Sequence, residues 1–422
     1  MQPLSTEPYK GVRDFYPEDK ALQTALFAIV RDTLSRFGYT EYDASPLERA
    51  ELYESKTSEE IVNEQTYTFT DRGERSVTLR PEMTPTLARM IAGRRRELPL
   101  PARWFSIGNR FRYERPQRGR LREFFQVDVD LVGAPEGEAD LEVVLLAREI
   151  LRAFGARDES FLIRVNSRAL LTAACREAGL SEEEHAPYLR LLDKKARLSE
   201  EEFARAGKDI LGERDDPLTC IAGAETGAVK DERERIRGFV DELKRRGAGN
   251  VVYDPTLTRG FDYYTGVVFE IFDTSPENPR ALFGGGRYDH LIQGLFGGDE
   301  VPAVGFAFGD VTLTDFLSSH DLLPEVDFAP HLYLATPESA DIPRAQEYAR
   351  ELREEGLSVW VNITEKKLGD QFKDAERRGV IHAIVYGKNE VSKRRVTIKN
   401  LRTGAETEVE KREIVSVLES GV

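Results

Sequence analysis

The sequence predicts an α+β fold: an antiparallel sheet flanked by helices, interrupted by a helical insertion and followed by a smaller α/β domain. Three observations carry this. Residues 105–132, FSIGNRFRYERPQRGRLREFFQVDVDLV, alternate polar and apolar on both sides of a basic turn. That period of two is the signature of a hairpin with one buried face and one polar face. Residues 167–246 then become rich in Glu, Lys, Arg and Ala at helical spacing, with few strand signals. From about residue 331 the pattern turns to βαβαβ, enough for a compact domain of its own.

Composition narrows the class. With 422 residues the chain is long enough for two or three domains and a sizeable core. Its net charge of −15 argues against a general nucleic-acid coat but leaves room for a local basic patch. Cys175 and Cys220 have no CxxC partner and suggest neither a disulfide framework nor a zinc site. No apolar run is long enough to span a bilayer, and the N-terminal MQPLSTEPYKG lacks an apolar signal-peptide core. The expected location is a reducing cytoplasm, with no membrane partner.

In chain order, KGVRDFYP (10–17) leads into a helix over Pro17–Phe37, with Leu22, Leu26, Ile29, Val30, Leu34 and Phe37 on one stripe and Gly38 as its stop. An extended stretch over Tyr39–Ser45 ends at Pro46 and suits either ordinary packing or a dimer element. Tyr67–Thr70 and Ser76–Leu79 read as strands around Asp71-Arg72-Gly73. Glu82 and Thr84 fall where strand gives way to helix. Two readings are open: Thr84 caps the helix while Glu82 favours its positive end, or both project into a pocket. Glu136–Phe154 reads as an amphipathic helix. Strands return at Asn250–Tyr253, 257–272, 282–292 and 301–313, the third containing Gly284-Gly285-Gly286, either a bulge or a flat surface for a ligand. The tail reads as strand His331–Ala335, helix Ile342–Glu355, strand Ser358–Asn362, helix Lys366–Arg378, and strands Ala383–Tyr386 and Arg395–Ile398, after a linker near Ser319–Asp327.

Several familiar sites are absent. The chain has no GxxxxGK[ST] loop, no GxGxxG between strand and helix, no GxSxG elbow and no HExxH pair. What remains is Glu82, Thr84, Arg112, Glu114, Arg120, Arg122, Gln126, Asp130, Arg259, Tyr263 and Tyr264 over a glycine-rich strand. This set combines cations for phosphates with acceptors for an amine or imidazole. Arginine forks suit phosphoryl oxygens, each charge-assisted bond being worth roughly 1.5–3 kcal/mol. Such a site could stabilise a pentavalent α-phosphorus under attack by a carboxylate, which is amino-acid adenylation.

These residues stand in stretches that resemble the histidyl-tRNA synthetases, a family of class II aminoacyl-tRNA synthetases. FRYERPQRGRLREFFQ (111–126) looks like class II motif 2 in its histidyl form, and GYTEYDASP (38–46) is similar to motif 1, the dimer element. RPEMT (80–84), LTRGFDYYTG (257–266) and GGGRYD (284–289) resemble the histidyl signatures, and the tail resembles an anticodon-binding domain. Five such stretches in the right order, with the tail attached, form a specific pattern.

The resemblance implies a class II antiparallel sheet in two parts, 1–166 and 247–324, a helical insertion over 167–246 and an anticodon-binding domain over 328–422. It implies ATP, L-histidine and tRNA(His) as substrates, magnesium accompanying ATP with its ligands unassigned, and a homodimer. Arg112 would hold the α-phosphate, Glu114 the adenine amino group, and Phe125 would stack on the ring. Arg120 and Arg122 would lie at the loop facing triphosphate and acceptor stem, with Gln117 and Arg118 beside Arg122 at the tRNA. Glu82 and Thr84 would bind the histidine α-amino group, with Tyr263 nearby and Gln126 on the amino acid. Asp130, Tyr264 and Tyr288 would meet the imidazole. Arg259 would face the carboxylate and α-phosphate as the catalytic cation.

One departure stands out. Motif 3 normally reads GFAxGxER; here the stretch is GFAFGDVTL, and Thr312 stands where the arginine would be. Loss of one transition-state cation typically costs about 10²–10³ in rate. The alternative is therefore a catalytically impaired paralogue acting as a regulatory or histidine-sensing subunit. The retained RGFDYYTG stretch and tail favour an active enzyme.

Overall fold

The computed structural model describes residues 3–54, 65–115, 119–195, 198–259, 263–326 and 329–419. The chain divides into two compact units, Met1–Tyr16 with Leu22–Pro324, and Glu325–Val422 with Pro17–Ala21.

The strands of the first unit are β1 (Thr40–Glu41), β2 (Leu47–Arg49), β3 (Tyr67–Thr70), β4 (Ser76–Leu79), β5 (Ala102–Phe111), β6 (Glu123–Val132), β7 (Phe161–Ser167), β8 (Val251–Tyr253), β9 (Val267–Asp273), β10 (Ala281–Arg287) and β11 (Ala303–Gly309). Eight form one sheet in the order β1-β5-β6-β11-β10-β9-β7-β8, antiparallel except for the edge pairs β1–β5 and β7–β8. A small sheet, β2-β4-β3, stands apart.

Register explains how one sheet serves two purposes. Ser106, Gly108, Gln126, Asp128, Asp130, Gly305, Ala307, Gly284 and Gly286 are cross-strand partners on one face. Phe105, Val127, Val129, Phe306, Phe308, Phe283 and Phe269 fall on the other and are buried in the main core. There Phe283 stacks on Phe308 with centroids 4.0 Å apart. Every second residue being apolar pins this register, because a slip of one would turn the aromatics to the polar side.

The first helix, Pro17–Arg36, buries Leu26, Phe27, Val30 and Leu34, and Gly38 at φ +78° follows its end. Its proline sits at the first turn, where no amide hydrogen is needed. Helix Glu138–Ala153 buries Leu141, Val144, Ile150 and Leu151 in the same core.

Between β7 and β8 the chain is helical, as expected: Arg168–Glu177, Glu182–Lys194, Glu200–Leu211, Pro217–Gly223 and Gly227–Arg245. Among the described residues, Leu170, Leu171, Tyr188, Leu189, Ile236 and Val240 belong to the same hydrophobic cluster as the sheet. The charge-rich faces are the outer sides of helices whose inner stripes are apolar.

The second unit holds β12 (Leu332–Ala335), β13 (Val359–Val361), β14 (His382–Val385), β15 (Arg395–Asn400) and β16 (Glu406–Glu410), in the order β13-β12-β14-β15-β16. Its first three strands are parallel and its last two antiparallel. Helices Ile342–Glu354 and Leu368–Arg377 make the crossovers. Strand β16 was not anticipated. Its ETEVE has a single buried residue, Val409, so it carries almost no alternation.

Candidate active site

The polar face of the large sheet floors a cavity of about 830 Å³. That volume lies toward the upper end of the range for small-molecule sites, roughly 300–1,000 Å³. The residues around it fall into two groups.

One group is buried and closely partnered. Asp130 is 4% exposed and accepts a 2.5 Å hydrogen bond from the Tyr288 hydroxyl on Oδ1. Its Oδ2 is buried without a partner. Burial, with the charge of Asp128 adding to it, pushes the Asp130 carboxyl up to about 8, against the pull of Tyr288 and Arg110. Gln126 donates Nε2 to Asp128 Oδ1 at 2.6 Å, and Arg110 donates Nη2 to Asp128 Oδ2 at 2.6 Å. Tyr263 donates to Glu82 Oε2 at 3.1 Å and hydrogen-bonds the Thr84 side chain. Tyr264 lies against Tyr263, with centroids 4.9 Å apart. Burial raises the hydroxyls of Tyr263, Tyr264 and Tyr288, so they remain neutral donors.

Thr84 begins helix Thr84–Arg94, and the preceding Met83 makes no side-chain cap. Thr84 and Glu82 both line the cavity, the second of their two readings. The expected strand over 257–272 is shorter, Val267–Asp273. Arg259, Tyr263 and Tyr264 precede it in a loop, so they reach the floor from above rather than from within it.

Glycines make this possible. A Cβ on Gly284 would collide with the Arg259 guanidinium, and one on Gly305 with Asp130 Oδ1. Of the glycine triplet, Gly284 is thus the surface against which the Arg259 guanidinium lies, and Gly286 makes room for the Tyr264 ring.

The second group is arginine-rich. Arg259 Nη1 donates to Glu270 Oε1 at 2.5 Å. Burial works against its charge, and Tyr264 and Glu270 more than offset that, holding the guanidinium above its ordinary value. Arg112 donates Nε to Pro81 O at 2.9 Å and lies over the Phe124 ring, 5.3 Å from its centroid. Arg120 pairs with Glu114 at 2.9 Å. Thr312 also lines the cavity, its hydroxyl donating to Gly309 O at 3.2 Å.

One expectation, the adenine ring at Phe125, needs revision. Phe125 faces the core, 5.9 Å from Phe15 and 6.0 Å from Phe27 between ring centroids. Phe124 lines the cavity instead. The strand's own alternation, with Phe124 on the side of Gln126, Asp128 and Asp130, carried that signal. Arg122 is not among the cavity-lining residues. It donates Nη1 to the Tyr9 hydroxyl at 3.0 Å and Nε to Glu114 O at 3.2 Å, and lies 4.0 Å over the Tyr113 ring. Gln117 and Arg118 lie outside the described residues.

Three contributors went unassigned in the sequence reading. The Arg110–Asp128 pair was visible in the alternation but had no evident role. Arg280, on the β9–β10 turn, and Asp193, near the end of Glu182–Lys194, both line the cavity. Neither stands in a recognisable motif. Among the described residues, no group of three His, Cys, Asp or Glu is arranged to hold a metal ion, and no helix is long and apolar enough to cross a membrane.

Comparison with known proteins agrees with the geometry. The family model for histidyl-tRNA synthetase matches residues 11–312, and that for an anticodon binding domain matches 333–420. A histidine–tRNA ligase of Leptospira biflexa is 42% identical over 417 residues, covering 95% of this chain and 94% of the relative. Its counterpart in Halobacterium salinarum is 36% identical over 412 residues, covering 94% of each. The crystal structure of a Nostoc histidyl-tRNA synthetase shares the fold, with a TM-score of 0.77 at 22% identity over 99% of both chains. Matched along nearly its whole length by the family model and by these ligases, the chain belongs to the histidyl-tRNA synthetase family.

Proposed function

We propose that the cavity holds ATP and L-histidine side by side, joins them as histidyl-adenylate, and passes the histidyl group to tRNA(His). The observation that carries this reading is the pairing within one cavity of the buried Asp130–Tyr288–Gln126 group with Arg112 and Arg259. Glu82, with Thr84 and Tyr263, takes the α-ammonium. Asp130 Oδ2, the buried oxygen left without a partner, takes the imidazole together with Tyr264 and Tyr288. A site built to hydrogen-bond such a group rejects apolar side chains by roughly 10⁴–10⁵, because its own polar atoms would otherwise stay unpaired.

In the first step a histidine carboxylate oxygen attacks the α-phosphorus, and the bond to the bridging oxygen breaks to release pyrophosphate. Arg112 and Arg259 face the charge that develops on the α-phosphoryl oxygens. Glu114 reads the adenine amino group and Phe124 takes the face of the ring. In the second step a terminal ribose hydroxyl of tRNA attacks the histidyl carbonyl and AMP leaves. The domain over 333–420 supports recognition of the anticodon.

Magnesium would enter with ATP. This ion keeps several waters and is held by one or two carboxylates plus phosphates, so it needs no dedicated cage. Asp193 is a cavity carboxylate whose chemistry fits it. The segment 38–46 supports a homodimer, and the cytoplasm is where this reading puts the enzyme.

Purified protein is expected to catalyse histidine-dependent exchange of pyrophosphate into ATP. No exchange at saturating histidine and magnesium would sink the adenylation reading. The regulatory alternative is not favoured: Glu82 and Arg259 are in the cavity, and the ligases matched cover the chain through its tail.

A further inference from the structure

A triphosphate needs cations along its length, and four arginines line the cavity: Arg112, Arg120, Arg259 and Arg280. At the end of β11 the strand turns into helix Asp310–Ser319, and there the cavity is lined by Gly309, Val311 and Thr312. None of these is a cation. The one hydroxyl among them, Thr312, is spent on the Gly309 carbonyl. Yet this is where the motif 3 pattern of the family would carry an arginine.

The fourth arginine stands at the same end. Phe283 pairs with Phe308 across the antiparallel β10–β11 ladder, so the start of β10 lies beside the end of β11. Arg280 immediately precedes β10 and is half-buried in the cavity wall. On its other side it meets the β5–β6 loop: a Cβ on Gly119 would sit 3.5 Å from Arg280 Cδ. Arg280 is thus a cation brought by a neighbouring strand to the end of the cavity that Thr312 leaves uncharged. Its planar fork suits two phosphoryl oxygens at once, as a lysine in that place would not.

We propose that Arg280 binds the β- and γ-phosphates of ATP and the departing pyrophosphate, taking the place of the cation missing at Thr312. This rests on the adenylation reading and adds a residue to it. The charge is then supplied from the β9–β10 turn instead of from the helix after β11.

The test is histidine-dependent ATP–pyrophosphate exchange with the full chain. Arg280→Ala is expected to lower kcat/KM for ATP by about 10²-fold, in line with loss of one preorganised transition-state donor. Histidine binding, measured by calorimetry, should stay at the wild-type value and doubles as the check that the variant is folded. Binding of a non-reactive histidyl-adenylate analogue, which lacks β- and γ-phosphates, should also be unchanged. Arg280→Lys should fall between the two, and Thr312→Arg placed on Arg280→Ala should recover part of the loss. If wild-type protein gives no exchange, the adenylation reading falls and takes Arg280 with it. If wild type exchanges while Arg280→Ala shows the same dependence on ATP, or loses analogue binding as much as ATP, the Arg280 assignment alone is overturned.

Discussion

The two ends of the cavity are built on different plans. At the end proposed for the amino acid, side chains come mostly from strand interiors, are almost fully buried, and hold one another: Arg110 on Asp128, Asp128 on Gln126, Tyr288 on Asp130, Tyr263 on Glu82. At the end proposed for the phosphates, arginines come from loops and turns and are more exposed, with Arg120 at 40% and Arg259 at 18%. A small, neutral ring such as imidazole must be distinguished by fixed hydrogen bonds. Precision of that kind needs locked rotamers. A triphosphate is recognised by charge, which tolerates longer and looser side chains. The contrast predicts that substitutions at one end alter selection of the amino acid, and at the other the rate and the use of ATP.

The largest effect is expected where the two ends meet. Arg259 lies over Gly284, held by Glu270, and in the proposed function faces both the histidine carboxylate and the α-phosphate. Arg259→Ala should lower the adenylation turnover by about 10²–10³, while histidine affinity changes little. Pre-steady-state adenylate formation and calorimetry with histidine separate the two. A variant that fails to bind histidine with its fold intact would move Arg259 wholly to the amino-acid end.

The same contrast governs how much was legible beforehand. The face carrying Gln126 and Asp130 could be read because period two is local: residues 124–130 reveal their own sides. The expected strands Tyr67–Thr70 and Ser76–Leu79 match β3 and β4, both bounded by turn residues. The ligand neighbourhood of Glu82 could not be read locally. Its partner Tyr263 is 181 residues away, and only a familiar pattern connected them. Arg280 was invisible for a related reason. It follows a proline in an irregular turn, and its place becomes clear only when β10 is paired with β11. Assigning Phe125 to the adenine ring ignored a rule already in use, since the alternation itself puts Phe124 on the pocket side.

That pair gives the next test, with smaller expected effects. Phe124→Ala should weaken ATP by an amount typical of base stacking, about 1–3 kcal/mol, and leave the melting temperature nearly unchanged. Phe125→Ala should do the reverse. It removes a half-buried ring from the contact with Phe15 and Phe27, so its cost falls below the about 3–5 kcal/mol of a fully buried phenylalanine. KM for ATP and thermal unfolding, measured on both variants, decide the matter. Equal ATP defects would mean that the face of the strand does not determine which ring meets the nucleotide.

The last test is a pH signature of the end proposed for the amino acid. Asp130 in the folded chain is raised to about 8, chiefly by burial, from an ordinary carboxyl value near 4. Between those values the folded state holds a proton that the unfolded chain has released. Stability from this group is therefore fully present below the unfolded value and is lost as pH rises through the folded one. Asp130→Asn keeps the shape and cannot ionise. The melting temperature of the variant minus that of wild type should accordingly rise from pH 5 to about pH 8 and then level off. The underlying stability difference changes by at most about 1.4 kcal/mol per pH unit. A flat difference across that range would mean that Asp130 is ionised throughout, its charge met by Arg110 and Tyr288. The amino-acid end would then hold a fixed anion, and the imidazole would be recognised by charge, as the phosphates are, rather than by matched hydrogen bonds.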